Sequence, residues 1–154
     1  MTRADLELTI AADVRAMTAE SDQIGREFAR RHDVSANDFR ALLHVMVADT
    51  AGAPLTAGEL RKLTGTSAAA VTYLVERMIE AGHLRRETDP GDRRKVILRY
   101  DDHGLEVARN FFTPLAQTTS RKMADLPDSD LDAAHRVFTA LLAAMHEFRT
   151  ADPG

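Results

Sequence analysis

The sequence predicts a mainly α-helical fold that carries one small β-hairpin, and three observations predict it. Apolar residues recur at helical spacing through most of the chain. The period changes to that of strands once, on either side of Asp89-Pro90-Gly91-Asp92. Capping residues, glycines and prolines cut the helical pattern into pieces of very unequal length.

Each element follows in order. Residues 4–31 contain no proline, and Leu6, Ile10, Val14, Met17, Ile24 and Phe28 recur at helical spacing. A helix this long needs another lobe or another chain to cover it. Ser35 is an N-cap with Asp38 three residues on, and Phe39, Leu42, Leu43, Met46 and Val47 mark a second helix that ends near Asp49. Ala51-Gly52-Ala53-Pro54 breaks the chain. Thr56 to Glu59 is a capping-box pattern that opens a short helix, with Leu60 and Leu63 inside and Gly65 as its stop. Thr66-Ser67 offers the next cap. Val71, Leu74, Val75, Met78 and Ile79 then form the apolar stripe of a fourth helix, closed by Gly82.

Leu84 to Thr88 and Lys95 to Tyr100 read as two strands, joined by a turn in which proline presets φ and glycine accepts a positive φ. Arg93, Arg94 and Lys95 lie at or beside the tip. Asp101-Asp102 caps a helix with Leu105, Ala108, Phe112, Leu115 and Thr119 on one side, and Pro114 is expected to kink it or mark its middle. Pro127-Asp128 starts the last helix, whose Leu131, Ala134, Phe138, Leu141, Met145 and Phe148 form a heptad-like seam. Residues 150–154 are expected to fray. Two short helices joined by a tight turn and followed by a basic-tipped hairpin make a winged helix-turn-helix over residues 35–100. Residues 1–34 and 101–154 form a helical dimerisation region whose apolar seams expect a second chain.

Composition limits the function. The chain has 154 residues, 44 % hydrophobic and 29 % charged, the mixture of one ordinary globular domain. It has no cysteine, which excludes disulfides, thiolate metal sites and thiol redox sensing. No run of about 18 apolar residues occurs, and the N-terminus is charged and amphipathic, so a cytoplasmic protein without membrane contact is expected. The net charge of −4 is unevenly placed. Residues 56–100 carry nine basic and six acidic side chains, whereas 1–55 carry six and nine, and 101–154 five and nine. A basic middle between acidic flanks points to a localised anion-binding face.

The order of elements and three stretches resemble the MarR family of bacterial transcriptional regulators over roughly residues 5–148. The stretches are Leu55 to Leu60, Val71 to Gly82, and Asp89 to Arg94; the last matches the family's D-x-R wing signature through Asp92 and Arg94. The resemblance implies a homodimer with interlocking terminal helices, a recognition helix over 67–81 and a wing over 84–100. It implies that Ser67, Thr72 and Tyr73 face the major groove of double-stranded DNA. It also implies that Arg94 reaches the minor groove and that Asp92 orients nearby basic side chains.

The residues themselves add detail. Ala68 can touch a thymine methyl, Arg93 and Lys95 join Arg94 on the tip expected to face DNA, and Arg61, Lys62 and Arg77 suit phosphates, which position without specifying. Family recognition helices often have an arginine where Tyr73 stands, so arginine–guanine readout is largely missing. Asp92 also reads as a simple turn former, and Tyr73 as a surface or packing residue.

The family commonly binds small aromatic or anionic effectors in a crevice beside the winged lobe. By position the candidates are Phe28, His32, Phe39, Arg40, His44, Met46, Phe111 and Phe112, most of which also read as ordinary core. The function implied is a sequence-specific DNA-binding regulator, a repressor that leaves a palindromic operator when its effector binds. Two alternatives remain: a winged-helix module for protein–protein contact without DNA binding, and a metal-responsive regulator if His32, His44 and His103 converge. No HExxH, P-loop, GxSxG or paired acid–base carboxylates occur, so neither an enzyme nor a cofactor is expected.

Overall fold

The computed structural model describes residues 1–151. Its elements are α1 (Arg3–Arg31), α2 (Ala36–Thr50), α3 (Ala57–Thr64), α4 (Ala68–Glu80), β1 (Leu84–Thr88), β2 (Val96–Tyr100), α5 (Asp102–Met123) and α6 (Asp128–Thr150). This is the mainly helical fold with a two-stranded antiparallel hairpin that the sequence predicts. The chain divides into two compact units, residues 1–111 and the part from Phe112 onward.

In the first unit the helix starts follow local chemistry. Ser35 Oγ accepts from the Asp38 N–H at 3.1 Å, and Ser67 Oγ from the Ala70 N–H at 3.1 Å. Thr56 and Glu59 form a reciprocal capping box, as do Thr2 and Asp5. Each such cap is worth about 1 kcal/mol. Gly65 ends α3 at φ +66°, a left-handed conformation that turns the chain directly into the α4 cap.

The core of this unit joins Leu42 and Val45 of α2, Leu60 of α3, and Val71, Leu74, Val75 and Met78 of α4 to Leu84, Leu98 and Tyr100 of the hairpin. The stripe at i, i+3, i+4 and i+7 on α4 is therefore its inner face, as the spacing requires. The C-terminal part of α1 packs on α2, burying Gly25, Phe28 and Ala29. Leu6, Leu8 and Met17 in its earlier turns remain exposed.

The hairpin pairs Leu84 with Tyr100 through Thr88 with Val96. Lys95 lies outside the strands, so the tip spans residues 89–95 and β2 starts one residue later than the sequence suggests. One pairing is not legible from strand periodicity. The Leu98 N–H donates to the Leu55 carbonyl at 2.8 Å, and Thr56 bridges to Ile97, so the segment before α3 adds a short third edge to the hairpin.

The second unit holds the rest of α5 and α6. Pro114 lies inside an unbroken α5, three residues past the boundary between the units. The α5–α6 turn closes through Leu126 N–H to Met123 O at 3.0 Å. No residue of α6 is buried, and Leu131, Phe138, Met145 and Phe148 of its seam are exposed. Thr150 ends α6 and Ala151 caps it; residues 152–154, expected to fray with them, lie outside the described residues.

Candidate nucleic-acid interface

With its stripe turned inward, α4 presents Ala68, Ala69, Thr72, Tyr73 and Glu76 outward. Ser67 sits at the start of α4, exposed, with its hydroxyl oxygen engaged by the Ala70 amide. The Thr72 hydroxyl donates to Ala68 O at 2.9 Å, which leaves its oxygen as an acceptor toward solvent. Tyr73 is 68 % exposed and is the one aromatic residue of the helix.

Arg77 departs from the picture of a side chain reaching for phosphate. Its Nε donates to Asp38 Oδ2 at 3.1 Å, and its Nη2 pairs with Asp38 Oδ1. That carboxylate is almost fully buried, and its hydrogen bonds raise the guanidinium pKa above its ordinary value. The sequence offered no local sign of this pair, because its members stand 39 residues apart.

The hairpin is fastened to the body by other arginines. Arg86 pairs with Glu76 of α4 at 2.6 Å. Arg99 pairs with Asp49 at the end of α2, and with Glu87 across the hairpin at 3.5 Å. Arg85 donates to the Tyr100 carbonyl at 2.6 Å. These four residues, Arg77 included, hold much of the positive charge of the middle segment in internal contacts.

The tip is different. Asp89 Oδ1 accepts from the Gly91 N–H at 2.8 Å, and Asp92 Oδ1 accepts from the Arg94 N–H at 3.0 Å. The Asp89 N–H donates to Lys95 O, and the Lys95 N–H to Asp92 O, closing the loop. Asp92 thus holds the backbone of the tip, the turn-forming role among those its sequence position allows. Arg93, Arg94 and Lys95 are all exposed, and among the described residues none of their side chains makes an ion pair or hydrogen bond. Three cations stand on a short, internally bonded loop.

The candidate effector residues separate into two groups. Phe28, His32, Phe39 and Phe111 pack on one another, with Phe28 4.6 Å from His32, 5.2 Å from Phe39 and 5.1 Å from Phe111 between ring centroids. Arg31 lies 5.5 Å over the Phe111 ring. Arg40 and His44 instead line a cavity of about 270 Å³ with Asn37, Leu63, Thr64, Thr66 and Leu74. Arg40 and Phe39 also line a second, of about 230 Å³, between α1 and α2, where Arg40 approaches Asp22 at 3.7 Å.

The three histidines suggested as a metal set do not gather. His44 faces the first cavity and His32 the aromatic cluster, while His103 lies 6.2 Å from His83. Among the described residues no group of three or more His, Asp or Glu side chains could hold a metal ion. None of the described helices is long and apolar enough to cross a membrane.

A capped two-helix turn, an inward stripe on its second helix and a basic-tipped hairpin tied to that helix define a winged helix-turn-helix protein. Residues 32–95 match the model of the MarR family. The chain is 38 % identical over 79 residues to YcgE, an uncharacterised HTH-type transcriptional regulator of Bacillus subtilis strain 168. That match covers 51 % of each protein, so the chain spans about half the length of this relative.

Solved structures share the fold. A MarR family protein from Bacillus stearothermophilus superposes with a TM-score of 0.63 at 20 % identity, covering 95 % of this chain and 99 % of that one. The transcriptional regulator Tm0710 from Thermotoga maritima gives 0.60 at 23 %, covering 94 % and 99 %. MepR of Staphylococcus aureus, solved as a complex with DNA, gives 0.53 at 14 %, covering 85 % and 96 %.

Proposed function

We propose that this chain is a sequence-specific DNA-binding transcriptional regulator that works as a homodimer on a palindromic operator. The observation that carries the reading is the wing tip, where Arg93, Arg94 and Lys95 stand exposed on a loop closed by Asp89 and Asp92. Arg94 inserts into the minor groove, whose narrow A·T-rich stretches attract arginine. Arg93 and Lys95 meet the flanking phosphates. Ser67, Ala68, Thr72 and Tyr73 face the major groove. The Asp92 carboxylate acts by setting the path of the tip.

Residues 1–34 and 101–154 supply the dimer contacts. The exposed apolar seams of α1 and α6 support this, because a second copy would remove them from water. We read the protein as a repressor released by a small aromatic or anionic effector. The guanidinium of Arg40 would take the anionic end, with Phe39 beside it in the cavity between α1 and α2 and His44 beside it in the other; Phe28, His32 and Phe111 would back Phe39. On this reading the chain works in the cytoplasm, where its operator is.

The test is binding of the full chain to a labelled duplex from its own upstream region, with rising salt. Affinity that falls steeply with salt, and falls strongly again in Arg94→Ala, is the expected result. Unchanged binding in Arg94→Ala overturns the wing assignment. No retention on duplex or heparin at low salt overturns DNA binding itself and leaves a protein-contact module.

A further inference from the structure

Arg77 lies between Asp38 and the Tyr73 ring. Its guanidinium is held on one side by both oxygens of Asp38, which is 3 % exposed on the first turn of α2. The Asp38 backbone is itself fixed, because its N–H is bonded to the Ser35 hydroxyl at 3.1 Å. On the other side the Arg77 Cζ lies 4.7 Å from the centroid of the Tyr73 ring, one helical turn earlier on α4. Swinging Arg77 outward would leave a buried carboxylate without its counter-charge, which is far costlier than losing a surface pair.

We propose that Asp38 and Arg77 form a brace that fixes the Tyr73 ring on the outer face of α4, making Tyr73 the side chain that sets sequence preference and Arg77 a positioning residue. The inference rests on the DNA-binding reading above. An exposed tyrosine on a helix surface ordinarily moves among rotamers. Stacking over a guanidinium that is always charged and held by a bidentate partner selects one of them. The surroundings leave the choice of base to this ring. Ala68, Ala69 and Thr72 are short, and Glu76 is paired with Arg86. A ring of fixed direction can offer its hydroxyl to one base edge and its face to a thymine methyl.

Two measurements on the full chain test this. In the first, wild type selects a duplex from a randomised library, and affinities are compared for that duplex and for random duplex of the same length. Tyr73→Ala is expected to lower the ratio of the two by about tenfold or more, the scale of one base contact. Arg77→Gln should lower the same ratio, leave random-duplex affinity and its salt dependence unchanged, and add nothing to Tyr73→Ala in the double variant. A drop in random-duplex affinity with a salt slope reduced by about one marks a phosphate contact and overturns the brace. Because Arg77→Gln strands Asp38, the neutral pair Asp38→Asn/Arg77→Gln serves where the single variant does not fold.

The second measurement needs neither DNA nor a change to the pair. The Arg77 Nε–H proton of the free protein should show a ring-current shift that disappears in Tyr73→Phe far less than in Tyr73→Ala. An Arg77 resonance indifferent to Tyr73→Ala overturns the stacking. A wild-type chain that retains no duplex overturns the DNA-binding reading and with it the specificity role, and the resonance tells that failure apart from loss of the brace.

Discussion

The hydroxyl of Tyr100, the last residue of β2, donates to the carbonyl of Leu42 in α2 at 2.9 Å. This buried bond ties the base of the hairpin to the helix on which the helix-turn-helix rests. Tyr100→Phe should cost about 1 kcal/mol, the net value of one such bond. Burial also pushes the ionisation of Tyr100 well above its ordinary value of 10.0. Its contribution to stability is therefore complete below about pH 10 and is lost as pH rises above that, because only the unfolded chain ionises there. Thermal melts from pH 9 to 11 should show a falling Tm in wild type and a shallower fall in Tyr100→Phe.

His83 has the opposite dependence. Burial, and next the proximity of His103 and His32, lower its pKa below the ordinary 6.5. The unfolded chain takes up the proton first, so the contribution of neutral His83 is present above about pH 6.5 and is lost as pH falls. Urea titrations at pH 7.5 and 5 should show weaker folding at the lower pH. His83→Gln should narrow that gap; an undiminished gap would assign the acid sensitivity to other groups.

Gly104, in the first turn of α5, lies against His83 in the turn between α4 and β1. A Cβ there would meet the backbone of His83, 2.6 Å from its carbonyl oxygen and 2.8 Å from its Cα. In a helix, Gly→Ala ordinarily gains up to about 1 kcal/mol. Here the neighbours are main-chain atoms, and the backbone shift needed to admit a methyl costs about 1–3 kcal/mol. Gly104→Ala should therefore lower Tm, and a raised Tm would show that the contact yields freely.

Ser67 has a capping role that is separable from any contact with bases. Ser67→Ala should cost about 1 kcal/mol in urea unfolding, and Ser67→Asn should restore most of it. If Ser67→Asn recovers stability without recovering duplex affinity, the hydroxyl itself touches DNA.

Much of the fold was legible because its signals are local. The stripe from Val71 to Ile79, the caps at Ser35, Thr56 and Ser67, and the stop at Gly65 each depend on residues within one or two turns. The hairpin was legible from Asp89-Pro90-Gly91-Asp92. Its boundary at Lys95 was off by one residue, because the Asp92 carbonyl takes the Lys95 amide into the loop. Of the candidate site, the basic tip was legible and its backbone support was not. The expectation that Asp92 steers basic side chains came from resemblance; its carboxylate holds an amide.

The set of elements, their order and the inward face of α4 are therefore legible without any knowledge of the packing. Those follow from periodicity and capping, which act over a few residues. Which charges are left for a partner depends on how the elements pack. Arg77, Arg85, Arg86 and Arg99 count equally with Arg93, Arg94 and Lys95 in the net charge of the middle segment. Folding brings Asp38, Asp49, Glu76 and the Tyr100 carbonyl to the first four and, among the described residues, nothing comparable to the last three. Pairing at a distance in sequence depends on how helices and hairpin pack, and no local pattern encodes it.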